Sequence, residues 1–197
     1  MAGSARKRQC VREEVRDRLA VEGAALVVLG VPPATEFGID MNSWNTGEKF
    51  CGVKMIPPGV HYVYFSSVNV STRSTAPRTG FFHVFGRGDV LVKRWEAETE
   101  DMVDSSVEEV DRVRADLRGL DSRLGEYPYE SWPKWISLSN RLTEASLSRL
   151  EPLSGKVCSV ADLVAEEGRE EGGGEPRLPT MVARPGTSIR YTALDSR

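Results

Sequence analysis

Histidine is nearly absent: the 197-residue chain carries two, His61 and His83. A metal site needs three or four of His, Cys, Asp and Glu close together. The cysteine nearest to His61 is Cys51, so no short-range ligand cluster exists and a metal centre is not expected. Cysteine is scarce too, with Cys10, Cys51 and Cys158 far apart and no Cys-x-x-Cys. An odd, dispersed set of thiols predicts reduced cysteines in an intracellular compartment rather than a disulfide framework.

Long apolar runs are missing, which excludes a helix of about 18 apolar residues spanning a membrane. The start, MAGSARKRQCVREEVRDRLA, has basic residues but no apolar core segment, and Glu13, Glu14 and Asp17 follow closely. Neither a secretory leader nor a mitochondrial presequence is expected from it. The sequon Asn69-Val70-Ser71 is then not expected to be glycosylated. Positive charge is not in excess: the net charge is −3 and the isoelectric point near 5.6. No global field collects nucleic acid. Phosphate-binding glycine motifs are lacking as well, since Gly86-Arg87-Gly88-Asp89 does not extend to GxGxxG and no Walker sequence occurs. The Arg-Gly-Asp within it reads as a hairpin turn.

What the chain does have is a core of ordinary size, 40% hydrophobic residues with four Trp, six Phe and five Tyr. Val11, Val15 and Leu19 recur at helical spacing, and Gly23 is placed to end that helix. AALVVL (24–29) has strand length. GVKMI (52–56) and VHYVYF (60–65) flank Pro57-Pro58-Gly59, where proline then glycine suits a type II turn and so a hairpin. FFHVF (81–85) and VLVKRW (90–95) predict a second hairpin. The polar stretch SVNVSTRSTAPRTG (67–80) reads as an exposed loop.

The period then changes. Val107, Val110, Val113, Leu117, Leu120 and Leu124 form the stripe of an amphipathic helix, with a capping box at Ser106 and Glu109 and a stop at Gly125. Short helices are expected near Pro133 and after Thr143. The acidic, glycine-rich segment 166–186 reads as a loop, and TSIRYTAL (187–194) as a last strand. The organisation expected is a basic segment and short helix (1–22), a β-rich core (23–100), a helical segment (101–165), the acidic loop, and a final strand of the same domain (187–197). The fold class is α+β.

For chemistry, either histidine could be paired with a carboxylate such as Asp40 or Asp89 and act as a general base. Neither sits beside a recognisable nucleophile, and both read more simply as hydrogen-bonded strand residues. A small hydrolase using His61 or His83 therefore stands only as an alternative, as does an RNA-binding module that stacks bases on aromatics. The aromatics Phe37, Trp44, Phe50, Trp95, Trp132 and Trp135 suit a core and, in part, a binding surface.

One stretch is more specific. Glu36-Phe37-Gly38-Ile39-Asp40, Asn42-Ser43-Trp44, Gly47, Lys49-Phe50 and Gly52-Val53-Lys54-Met55-Ile56-Pro57-Pro58-Gly59 follow one another in order. Gly80-Phe81-Phe82, Arg94-Trp95, Leu124-Gly125, Tyr127-Pro128-Tyr129, Lys134-Trp135-Ile136-Ser137-Leu138, Gly186-Thr187 and Ile189-Arg190 come after them. Over about residues 11–197 this pattern resembles the A-one cistron-splicing factor family (AAR-two), assembly factors of the spliceosomal U-five small nuclear ribonucleoprotein. The resemblance implies a β-sandwich-like amino-terminal domain with added amphipathic helices, no enzymatic activity and no cofactor. It implies a pre-mRNA splicing factor that chaperones U-five assembly. Such a factor holds the large scaffold protein Prp-eight through its RNase H-like and Jab/MPN domains and delays docking of the helicase. Release follows phosphorylation, and the protein is expected in cytoplasm and nucleus, with no membrane association and no direct RNA contact.

Phe37, Gly38, Asp40, Asn42, Trp44, Lys54, Pro57, Pro58, Gly59, Trp95 and Trp135 are the signature or candidate partner-binding residues. Family members continue into a second, all-helical domain, which is expected to be absent from a chain ending at Arg197.

Overall fold

The computed structural model describes residues 14–69, 74–152, 154–158, 163–165 and 181–183. Helix α1 covers residues 14–22 and buries Leu19, whose carbonyl accepts the Gly23 amide at 2.8 Å. Gly23 does not take the left-handed conformation expected of a helix-ending glycine. It is needed instead for close approach, because a Cβ there would lie 2.7 Å from the Met55 Cα.

The strands are β1 (Ala24–Leu29), β2 (Glu36–Ile39), β3 (Asn42–Asn45), β4 (Gly52–Ile56), β5 (Gly59–Ser66), β6 (Val68–Asn69) and β7 (Ser74–Thr75). They continue as β8 (Thr79–Phe85), β9 (Val90–Glu96), β10 (Asp101–Asp104), β11 (Gly125–Glu126), β12 (Val157–Cys158), β13 (Leu163–Ala165) and β14 (Met181–Ala183). Two five-stranded sheets face each other. The mixed sheet runs β10-β9-β1-β4-β11, and the antiparallel sheet β12-β8-β5-β2-β3. The fold class is α+β, as expected, and neither sheet closes into a barrel.

Both expected hairpins are corrected by this topology. Strands β4 and β5 belong to different sheets, as do β8 and β9, so the turns at Pro57-Pro58 and Gly86–Asp89 carry the chain from one layer to the other. The sequence of each turn suits its bend: Gly59 has φ 132° and Gly88 φ 67°. Turn residues announce a reversal, but not whether the following strand pairs with the preceding one or crosses over. The polar stretch 67–80 is not all loop, because β6 and β7 pair within it.

Strand β1 is buried on both faces. Ala24, Leu26 and Val28 point between the sheets, with Phe37, Ile39, Val63, Phe85 and Trp95. Val27 points the other way, with Val92 and Val113. An apolar run without alternation is what a strand covered on two sides requires.

The second cover is the helical stripe, which is broken into α2 (Val107–Ala115), α3 (Leu117–Leu120) and a 3₁₀ turn (Asp121–Arg123). Its capping box at Ser106 and Glu109 forms as expected. Val113 and Leu124 are buried, while Val107 stays 73% exposed. Gly125 opens β11 rather than ending the helix. Helices α4 (Trp132–Ser139) and α5 (Glu144–Leu150) follow, α5 capped by Thr143. The span 101–165 thus also carries β10, β11, β12 and β13, and 166–186 carries β14. The strand expected at 187–194 lies outside the described residues.

Candidate partner-binding surface

The tight turn from β2 into β3 sets the centre of the signature stretch. Asp40 sits there with φ 54°, a conformation that aspartate tolerates better than most residues. Its backbone amide donates to the Tyr62 carbonyl at 2.7 Å, and its Oδ1 accepts from the Tyr62 amide at 3.0 Å. Oδ2 meets His61 Nδ1 at 2.7 Å and accepts the Tyr127 hydroxyl at 2.5 Å. His61 Nε2 donates to the Pro57 carbonyl at 2.8 Å. One carboxylate therefore ties together the β2–β3 turn, β5, the Pro57-Pro58 bend and the segment after β11.

Protons follow from the partners. The Pro57 carbonyl can only accept, so Nε2 carries hydrogen. Burial, then the charge of Asp40, pushes the Tyr127 phenol far above its usual range, so it donates. Tyr62 N–H and Tyr127 O–H donate to Asp40 and His61 Nδ1 lies against its Oδ2, so every polar group of the cluster has a partner. The cluster is closed to solvent, His61 being 1% exposed with both ring nitrogens engaged. A general base needs a free nitrogen within reach of a substrate proton. His61 has none. His83 is half-buried, and burial followed by nearby Lys93 pushes its pKa down. Among the described residues no group of three or more His, Cys, Asp or Glu could hold a metal ion.

The other candidate residues separate into buried and accessible sets. Phe37, Gly38, Asp40, Pro57 and Trp95 are buried. Phe37 anchors an aromatic cluster with Trp44 at 5.5 Å and Phe50 at 5.0 Å between ring centres. Gly38 lies beneath the Tyr64 ring, where an added Cβ would come within 2.1 Å. Asn42 is half-buried and donates to Ser131, fixing the β3 turn to the start of α4. Lys54 pairs with Asp121 at 2.7 Å. Pro58 is exposed, and Gly59 and Trp135 are half-exposed.

Those last three come together. The Trp135 indole N–H donates to the Val60 carbonyl at 2.7 Å, so α4 lies against the start of β5. Between them opens a cleft of about 420 Å³, lined by Pro58, Gly59, His61, Val84, Trp132, Trp135 and Ile136 and by residues of the α4–α5 junction. Ile136 and Val84 are exposed on its walls and Leu138 is 64% exposed further along α4. His61 and Glu144 also line the cleft, but both His61 ring nitrogens are already bonded, so the cleft offers mainly apolar contact area.

Residues 22–152 match the model of the AAR2 N-terminal domain. The chain belongs to the AAR2 family. It is 41% identical over 206 residues to the mouse Protein AAR2 homolog, an alignment covering 93% of this chain and 54% of the relative. The human Protein AAR2 homolog is 38% identical over the same shares. The Caenorhabditis elegans homolog is 44% identical over 156 residues, 78% of this chain and 42% of its own length. The chain thus spans about half the length of the curated AAR2 relatives it matches.

Within this AAR2 domain, Tyr127 is the functional neighbour that sequence reasoning missed. Tyr127-Pro128-Tyr129 reads as a break in the chain and as part of the family pattern, with no partner named for Tyr127. The available signal was a buried-type aromatic with a hydroxyl, which needs a partner when enclosed. Asp40 was already named as a partner for a histidine, and the structure selects His61 for it.

Proposed function

We propose that this chain is a pre-mRNA splicing factor, a non-enzymatic assembly chaperone of the U-five snRNP. Its partner is the large scaffold protein Prp-eight, held through the RNase H-like and Jab/MPN domains. Holding that protein delays docking of the helicase. The chain acts in the cytoplasm and the nucleus.

The observation that carries this reading is the match of residues 22–152 to the AAR2 N-terminal domain. The geometry agrees with a binding role: the histidine paired with a carboxylate is 1% exposed with both ring nitrogens bonded, and Pro58, Gly59 and Trp135 border the cleft beside it. Affinity capture with the tagged chain from a cell extract tests it. Prp-eight is expected in the captured fraction, and recombinant RNase H-like and Jab/MPN domains are expected to compete for it. Capture at background level, with a folded bait, sinks the reading.

A further inference from the structure

Strand edges with unpaired amides and carbonyls invite another chain, and proteins blunt them with charge, proline or shortness. Three of the four outer strands of the two five-stranded sheets follow that rule. Edge β10 carries Asp101 and Asp104, β11 has two residues, and β3 reads Asn-Ser-Trp-Asn. The fourth edge differs. Strand β12 covers β8 only at Thr79 and Gly80. Just before β12, Gly155 takes φ 67° and its amide bonds the Pro152 carbonyl, turning the chain off the line of β8. The rest of β8 reads Phe-Phe-His-Val-Phe, with no lysine, glutamate or proline.

Hydrogen-bond direction in the ladder shows what this edge offers. The Val60 carbonyl accepts from Trp135, and the Tyr62 amide and carbonyl bond Asp40, so both residues point away from β8. Val84 and Phe82 stand opposite them in an antiparallel register. In such pairs both members turn their backbone groups outward. The amides and carbonyls of Phe82 and Val84 therefore face the open side, and among the described residues no backbone group meets them. Val84 is 37% exposed and its side chain borders the apolar cleft.

We propose that the Phe82–Phe85 edge of β8 binds an extended segment of a partner protein by strand addition, with apolar side chains at alternate positions lying against Val84 and the cleft. This rests on the reading of the chain as a protein-binding module. A second copy is a poor occupant. Four residues of edge run about 13 Å at ~3.3 Å each and a strand spans about 4.8 Å across, so this edge alone offers on the order of 60 Å², far short of the roughly 800 Å² per partner in a stable dimer. A single peptide strand needs no more than that edge plus pockets for its alternate side chains.

Amide NMR of the full chain tests this, with a capped peptide of alternating threonine and valine bearing a lysine at each end. The amides of Phe82 and Val84 are expected to shift and to exchange at least tenfold more slowly on adding peptide. Val84→Pro removes one donor and Val84→Lys adds a charged guard; each is expected to weaken binding at least tenfold, while Val84→Thr retains it. Unchanged amide shifts in β1 and β9 verify folding.

Peptide effects confined to other residues, or equal binding by all three variants, overturn the proposal. So does concentration-dependent dimerisation abolished by Val84→Lys. The same variants in Prp-eight capture separate the two readings. Capture by wild type and Val84→Lys alike overturns the edge and leaves the proposed function standing. Absence of capture by wild type, with peptide still on Phe82 and Val84, overturns the partner and leaves the edge.

Discussion

The Tyr127 hydroxyl reaches Asp40 Oδ2 at 2.5 Å from 87 positions away in sequence. That contact joins the segment behind α3 to the first hairpin of the other sheet. Asp40→Asn keeps a side chain that tolerates positive φ but removes the charge and turns an amide toward two donors. Leaving a buried charge or donor unpaired costs about 3–5 kcal/mol. Urea unfolding is expected to show a loss of that order, and about 1.5–3 kcal/mol for Tyr127→Phe, which deletes one hydrogen bond to a charged acceptor. A loss below about 1 kcal/mol for Asp40→Asn would contradict the network.

Acid sensitivity follows from His83. Its folded pKa lies below the ordinary 6.5, first because of burial and then because of Lys93. The unfolded chain therefore binds this proton more readily than the folded one, and the unfolded state gains as pH falls below about 6.5. The stability held above that pH is lost on acidification toward the folded pKa. His83→Gln is expected to flatten the fall in urea midpoint between about pH 7 and pH 5. An unchanged slope would remove His83 from the account.

Two glycines in the same signature stretch are expected to behave differently. At Gly52, with φ 131°, a Cβ would lie 1.9 Å from the Leu26 carbonyl oxygen, which is backbone of a central strand. Gly52→Ala is expected to cost about 3 kcal/mol or more. At Gly38 the obstacle is the far end of the Tyr64 side chain, which can swing aside. Gly38→Ala should be milder, and thermal melts of the two variants give the order directly.

Thiol labelling reads out the core. Cys51 is buried and burial raises its pKa, whereas Cys158 is exposed beside Thr79. In a Cys10→Ser background, Cys158 should react with a disulfide reagent at once. Cys51 should react only as fast as the domain opens. Equal rates for both would place Cys51 wrongly.

Local chemistry made much of this molecule legible. The capping box at Ser106 depends on a neighbour three residues away and formed as the sequence implied, and a helix follows Thr143 as expected. The apolar run 24–29 announced a strand, and β1 covers those same residues. Sheet membership was not legible, because Pro57-Pro58-Gly59 bends the chain in the same way whether β5 pairs with β4 or crosses to the other layer. The candidate surface was half legible. Trp135, Pro58 and Gly59 do meet at a cleft. Phe37 and Trp95 serve the interior, since an aromatic in a strand looks the same from sequence whichever face it points to. Tyr127 escaped notice because its partner lies in a distant hairpin.

The placement of β1 governs the order of events in folding. It sits between β4 and β9, and its parallel register with β9 joins Ala25 to Val90 and Leu29 to Arg94. Pairings of that sequence separation raise contact order and slow the search for the native state, because a long loop must close before the contacts reward it. During synthesis the central strand of the mixed sheet stays half-paired until Trp95 has emerged. A polypeptide stopped before Val90 would keep AALVVL without one of its two partners, leaving an apolar strand open to self-association.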